Sequence, residues 1–308
     1  MKKYIIRRLI ISFFTLLLML IILFLLLELL PGSPFNDGKL SAAQRAVLKA
    51  KYGLDAPVWE RLIKYIGNVF KGDFGLSYNL AKDIPVSELL LSRVGVSLRI
   101  GFLSLLTGTV LGVLVGIAAA LNEGDIPDKA GMTLSTLGLS VPSYVFGVMF
   151  CFYLGFKWRW FPIIYDIRKP FVSSIIPVLA SAVMIFSVIA RFTRDEILRV
   201  SRSDYVLFAR CQGIKRSTVL FSYILKNSLL PIVTVMGSLV VALLTGTLVI
   251  EAMFAVPGIG SFMTLAIQNN DYNVILALSF VYSLIYVAVM LVVDLIYGLL
   301  DPRIRIGG

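Results

Sequence analysis

The residues best equipped to do work in this chain lie between positions 191 and 231. Tyr205, Phe208, Ala209 and Gln212 recur at i, i+3, i+4 and i+7, so a helix places them on one face. Ser203 stands where a helix N-cap is expected, just ahead of the free amides of Asp204 and Tyr205. Gly213 stands where a helix stops. Arg202, Arg210 and Lys215 rim the face. An aromatic face with one small residue, a basic rim and a fixed stop suits docking rather than bond-making. A helix that only anchored to the membrane surface would not need a small residue beside a glycine stop.

No bond-making set accompanies it. The chain has no histidine, which removes the usual proton shuttle and the commonest imidazole metal ligand. Its two cysteines, Cys151 and Cys211, are far apart, so neither a disulfide framework nor a metal site is expected. The phosphate-cradling pattern G-x-x-x-x-G-K-[ST] is absent, and GIKRST at 213–218 lacks its Gly-Lys step. No catalytic residue, metal ligand or resident cofactor is therefore assigned.

Three further sets carry spacing information. Gly108, Gly112 and Gly116 recur every four residues, a smooth strip that lets another helix backbone approach closely, within the subunit or from a partner. Asp294 and Asp301 lie seven apart near the end of the last apolar run. Charges there are costly, so an ion pair with Arg191 or Arg194 is expected in preference to a proton site. Glu251, Phe254, Pro257, Gly258 and Gly260 fall in EAMFAVPGIG, a tightly turned segment read as part of an outer gate, with Glu251 and Phe254 facing the pathway.

The elements that must position these residues are membrane spans. Of 308 residues, 58% are hydrophobic and 15% charged, where a soluble domain carries roughly a quarter charged. Six apolar runs have spanning length: 9–30, 97–121, 132–156, 172–190, 229–250 and 274–300. The net charge of +11 gathers before the first run, in 191–228 and after the last. That pattern sets an N-in, C-in topology and makes nucleic-acid binding unnecessary as an explanation. The acidic turn 122–131 argues weakly against this orientation. The chain divides into 1–30 (N-terminus and first span), an external segment 31–96, and a core of five spans over 97–308 with its cytosolic segment at 191–228. PGSP at 31–34 breaks the first helix. Short amphipathic helices at 41–52 and 59–70 form a small cap on the outer ends of the spans. The fold class is an all-α, multi-pass membrane protein in contact with lipid.

DYVLFARCQG followed by KNSLLP resembles the cytoplasmic coupling motif of ABC importer permeases, in the variant of oligopeptide, dipeptide and nickel importers. Ala209 and Gly213 match its small residue and glycine, while Leu207 and Phe208 replace its leading Glu-Ala pair. MKKYIIRRLI with LLPGSP, YGLDAPVWERLIKYIGNVFKGDFGLSY, LGLSVPSYVFGV, EAMFAVPGIG and DLIYGLLDPRIR extend the resemblance over nearly the whole chain. It implies the type I importer permease fold and the B-type permease subunit of a peptide importer in a prokaryotic cytoplasmic membrane. It further implies a heterodimer with a homologous second permease, two cytosolic ATPase subunits that bind ATP and Mg, an external peptide-binding protein and a peptide substrate. Nickel import within the same family and an ATP-independent channel or proton-coupled carrier are the competing readings. The lack of histidine and of an acidic relay disfavours proton coupling.

Overall fold

The computed structural model describes residues 2–29 and 41–300. Among them every regular element is helical, apart from one isolated bridge between Leu76 and Pro85. The order is α1 (Lys2–Leu29), α2 (Ala42–Lys51), α3 (Val58–Val69), α4 (Val86–Leu121), α5 (Ile126–Ser140) and α6 (Ser143–Phe150). Then follow α7 (Pro170–Ser173), α8 (Ile175–Ser201), α9 (Asp204–Cys211), α10 (Arg216–Thr218), α11 (Lys226–Met253), α12 (Ile259–Gln268) and α13 (Tyr272–Leu300). Two π-helical segments, Cys151–Lys157 and Val219–Leu225, extend α6 and lead into α11.

Among the described residues, four stretches are long and apolar enough to cross a membrane: Ile6–Leu29, Val86–Leu121, Pro170–Ser201 and Tyr272–Val293. The apolar run 229–250 lies within α11, a helix of 28 residues. Pro231 sits inside that helix and does not end it. The third expected span is broken rather than continuous: α5 and α6 meet at a bend of 108°. Val141 is extended and precedes Pro142, which has no N–H to give and disfavours a helical residue before it.

The chain forms two compact units. The first comprises Met1–Ser97 and Pro257–Leu291. Its core gathers Val86 and Leu90 of α4, Phe262 and Ala266 of α12, and Val274, Ala277 and Leu278 of α13. Here α3 does more than cap the outer end of α1. Arg61 pairs with Glu28, Tyr65 lies 5.9 Å from Phe24, and Phe70 stacks on Phe13 at 5.7 Å, so α3 runs back antiparallel along the span. The loop before α4 is held by the buried carboxylate of Asp271. Its Oδ2 accepts from Ser77 Oγ at 2.5 Å and from the amides of Asn79 and Leu80 at 3.0 and 3.1 Å. Farther along, Asp83 accepts from Lys51 Nζ at 2.7 Å and Tyr52 Oη at 3.0 Å, which holds its carboxyl below the usual carboxylate range. Burial pushes Tyr78 up to about 12.

The second unit comprises Leu98–Val256 and Val292–Ile306. Its central helix is α8. The glycine strip of α4 faces α8 within this subunit. A Cβ on Gly108, Gly112 or Gly116 would stand 2.7, 2.8 or 2.6 Å from the Cβ of Ile185, Ile189 or Thr193. It would also reach 2.8, 2.9 or 2.7 Å from the carbonyl oxygens of Ala182, Phe186 and Ala190. Backbone cannot yield as a side chain can, so only glycine permits this approach. Ile185 and Ile189 then close a core with Ile232, Leu239 and Leu243 of α11.

Candidate coupling site

The segment after α8 is built as a short rigid lever. Arg202 ends α8, and Ser203 adopts the extended conformation of an N-cap (φ −76°, ψ 151°). Its hydroxyl does not cap α9, however. Ser203 Oγ donates back to Val200 O at 2.6 Å, tying the hinge to α8, while its carbonyl accepts from Val206 and Leu207. Asp204 supplies the negative charge that a helix N-terminus favours.

The far end of α9 is closed by a double turn. The amide of Ile214 bonds Ala209 O at 3.3 Å and that of Gly213 bonds Arg210 O at 3.0 Å, the 6→1 and 5→2 pair of a Schellman motif. Gly213 takes φ +76°, where a side chain is strained whatever the space around it.

The expected four-residue face is divided by burial. Ala209 turns inward with Val206, at 2% and 0% exposure. Both join Ile197 and Val200 of α8, Ala120 of α4, and Val219, Ile224 and Leu225. Tyr205, Phe208 and Gln212 point outward, and Leu207 joins them. Tyr205, Leu207 and Phe208 are 45%, 60% and 64% exposed. The small residue therefore roots the lever instead of meeting a partner. Arg202, Arg210 and Lys215 are exposed around this apolar patch.

The acidic turn 122–131 finds its explanation here. Glu123 accepts from Arg202 at 2.6 Å. Asp128, 5% exposed, accepts from Arg194 Nε at 2.5 Å, from a terminal guanidinium nitrogen at 2.7 Å and from the Gly124 amide at 2.9 Å. The turn is the counter-charge of the basic segment, so its acidity does not oppose the assigned orientation. Among the described residues Arg194 pairs with Asp128 and, at 3.3 Å, with Asp195. Arg191 is exposed. Asp301 and the side chain of Asp294 lie outside the described residues.

The segment read as an outer gate is a closed turn. The amides of Ala255 and Val256 bond Ala252 O and Glu251 O at 3.4 and 2.9 Å, a second Schellman turn with Ala255 at φ +51°. Glu251 and Phe254 are 0% and 2% exposed, so neither faces an open pathway as expected. The turn folds their side chains inward, and Phe254 O accepts the Tyr165 amide at 3.0 Å. Gly258 and Gly260 are buried and Pro257 partly so. In the first unit, Ser97 Oγ accepts the Ile259 amide at 2.9 Å. Sequence reasoning missed Asp128 and Asp271, because an acid at the start of a helix shows its long-range partners only once the chain is folded. It also missed Val206, although the pair Val206 and Ala209 at i, i+3 marked the inner face.

Residues 112–306 match the family described as the binding-protein-dependent transport system inner membrane component. The chain is 38% identical over 306 residues to the dipeptide transport system permease protein DppB of Lactococcus lactis subsp. cremoris, covering 99% of this chain and 100% of that one. It is 33% identical over 310 residues to the oligopeptide transport system permease protein OppB of Haemophilus influenzae, covering 99% and 100%. Among solved structures it resembles the MetNI methionine ABC transporter in an inward-facing conformation, with a TM-score of 0.56 at 15% identity over 69% of this chain and 96% of that one. At that identity the likeness concerns the fold, an all-helical ABC importer permease.

Proposed function

Because the chain belongs to the family of binding-protein-dependent transport system inner membrane components, we propose that it is the B-type transmembrane subunit of an ATP-driven peptide importer. It is a multi-pass protein of the cytoplasmic membrane. Full-length similarity to permeases named for dipeptides and oligopeptides favours peptides over nickel as the solute. Partners of the family are ATPase subunits and an external binding protein.

The observation that carries the coupling role is α9 itself. It is rooted by Val206 and Ala209, closed by Gly213, and leaves Tyr205, Leu207 and Phe208 exposed for a cytosolic partner. In this reading the exposed patch fills a groove on one ATPase, and the basic residues lie on the rim. Closure of two ATPases around ATP and Mg moves α9 with α8 as one body, because Ser203 bonds back to Val200 and Val206 and Ala209 pack on Ile197 and Val200. The spans then exchange between inward-open and outward-open packings. A homologous second permease completes the pathway.

The test is reconstitution in liposomes with the second permease, both ATPases and the binding protein. ATP-dependent peptide accumulation that vanishes when any one component is omitted supports the reading. Peptide flux through the purified chain alone, without ATP, would favour a channel. Gly213→Val should leave ATP hydrolysis running while import falls; normal import by that variant would sink the lever assignment.

A further inference from the structure

The first half of α8 is enclosed on nearly every side, yet it surfaces at one place. From Ile175 to Ala190 its single exposed residue is Met184. Met184 stands at a notch of about 20 Å³ lined also by Ser143 of α6, Ser181 and Ile185 of α8, and Leu239, Leu243 and Thr247 of α11. Three hydroxyls from three different helices thus converge in an otherwise apolar region.

Ser181 is the informative one. Buried serines in these helices return their hydroxyls to the carbonyl four residues earlier. Ser104 bonds Ile100 O at 2.8 Å, Ser135 bonds Gly131 O at 2.9 Å, Ser187 bonds Val183 O at 2.8 Å and Ser228 bonds Ile224 O at 2.9 Å. Ser181 is 9% exposed, and its Oγ has no hydrogen-bond partner among the described residues. A buried hydroxyl left unpaired is costly, because it has given up water without gaining a partner. The notch holds about one water-sized group, since a water needs roughly 10–15 Å³ of such space. It therefore accepts one small neutral polar group at a time.

Below the notch the exposure of α8 continues as a stripe. Met184, Val188, Arg191 and Asp195 follow at steps of four, three and four, and Arg191 and Asp195 are exposed. From Ser181 to the end of α8 at Ser201 is about 30 Å at helical rise. The stripe thus leads from a hydroxyl-lined notch toward the coupling site and carries both signs of charge.

We infer that this stripe lines the solute path, and that the Ser181 notch is a contact point for a backbone amide of the translocated peptide. The solute class rests on the proposed import function; the path itself rests on the exposure of α8. A zwitterionic chain suits a wall bearing Arg191 and Asp195, and its amides suit hydroxyls that both donate and accept.

The test uses the assembled transporter in liposomes, with Cys151 and Cys211 replaced by serine. Met184→Cys should react with a membrane-impermeant methanethiosulfonate reagent and be protected by saturating peptide. Phe102→Cys, at a position 64% exposed on the span surface of α4, should not react. Ser181→Ala should raise the KM for peptide import about two- to tenfold, the size of one lost hydrogen bond. Equal inertness of the Met184 and Phe102 cysteines in a transporter that imports peptide would overturn the path. An unchanged KM for Ser181→Ala would overturn the amide contact and leave the notch as a water site. If the wild-type complex imports no peptide while Met184→Cys still reacts, the path stands and the peptide assignment falls.

Discussion

Asp128→Asn tests how α5 is held to the coupling region. The carboxylate receives two charge-assisted bonds from Arg194, at 2.5 and 2.7 Å, and a third from the Gly124 amide at 2.9 Å. Asparagine preserves the volume but removes the charge, and one end of its amide becomes a donor facing donors. Stranding one member of a fully buried ion pair costs about 3–5 kcal/mol. The Arg194 side chain is 22% exposed, so water recovers part of that loss. A discounted cost of about 2 kcal/mol follows. For a domain of this size that lowers the Tm by about 4–8 °C. Thermal unfolding of the detergent-solubilised permease measures it, with Glu123→Gln as control. The Glu123–Arg202 pair is 46% and 68% exposed, so its loss should stay within about 0.5 kcal/mol. A Tm for Asp128→Asn no lower than that of Glu123→Gln would refute the clamp.

Other perturbations have equally definite outcomes. Gly112→Ala forces a Cβ to 2.9 Å from Phe186 O, so α4 and α8 must separate at a cost of about 1–3 kcal/mol, visible as a lower Tm. Ala255→Gly relieves a left-handed alanine at φ +51° and should stabilise by up to about 1 kcal/mol; a lower Tm would count against strain at that turn. Tyr78 is pushed up to about 12, chiefly by burial, whereas an unfolded tyrosine ionises near 10. Stability is thus unaffected below about pH 10 and falls as pH rises from there toward 12, because only the unfolded state releases the proton. Tyr78→Phe should flatten that alkaline slope in pH-dependent unfolding.

Much of the fold was legible because lipid imposes one rule: about 20 apolar residues per crossing. That rule located α1, α4, α8, α11 and α13. It failed at α5 and α6, where composition is continuous but Pro142 turns the chain by 108°. The glycine strip announced a close helix contact, and only the fold shows that the neighbour is α8. The coupling helix was legible at its ends through Ser203 and Gly213. Its faces were not, since Ala209 could as well pack inward as outward until Ile197, Val200 and Ile224 were in place. The Asp128–Arg194 pair was illegible for the same reason: proximity in a folded cytosolic layer brings Asp128, 66 residues away, to Arg194.

The most direct measurement concerns the exposed patch of α9. Phe208→Ala removes an aromatic ring that is 64% exposed and supports no internal core. The permease should therefore fold with an unchanged Tm. Binding of the purified ATPase subunits to the reconstituted permease should weaken by about 2 kcal/mol, or roughly 30-fold in Kd, as expected for an interface aromatic anchor. ATP-driven import should fall with it. Wild-type ATPase affinity and import in a folded Phe208→Ala permease would contradict docking through this helix.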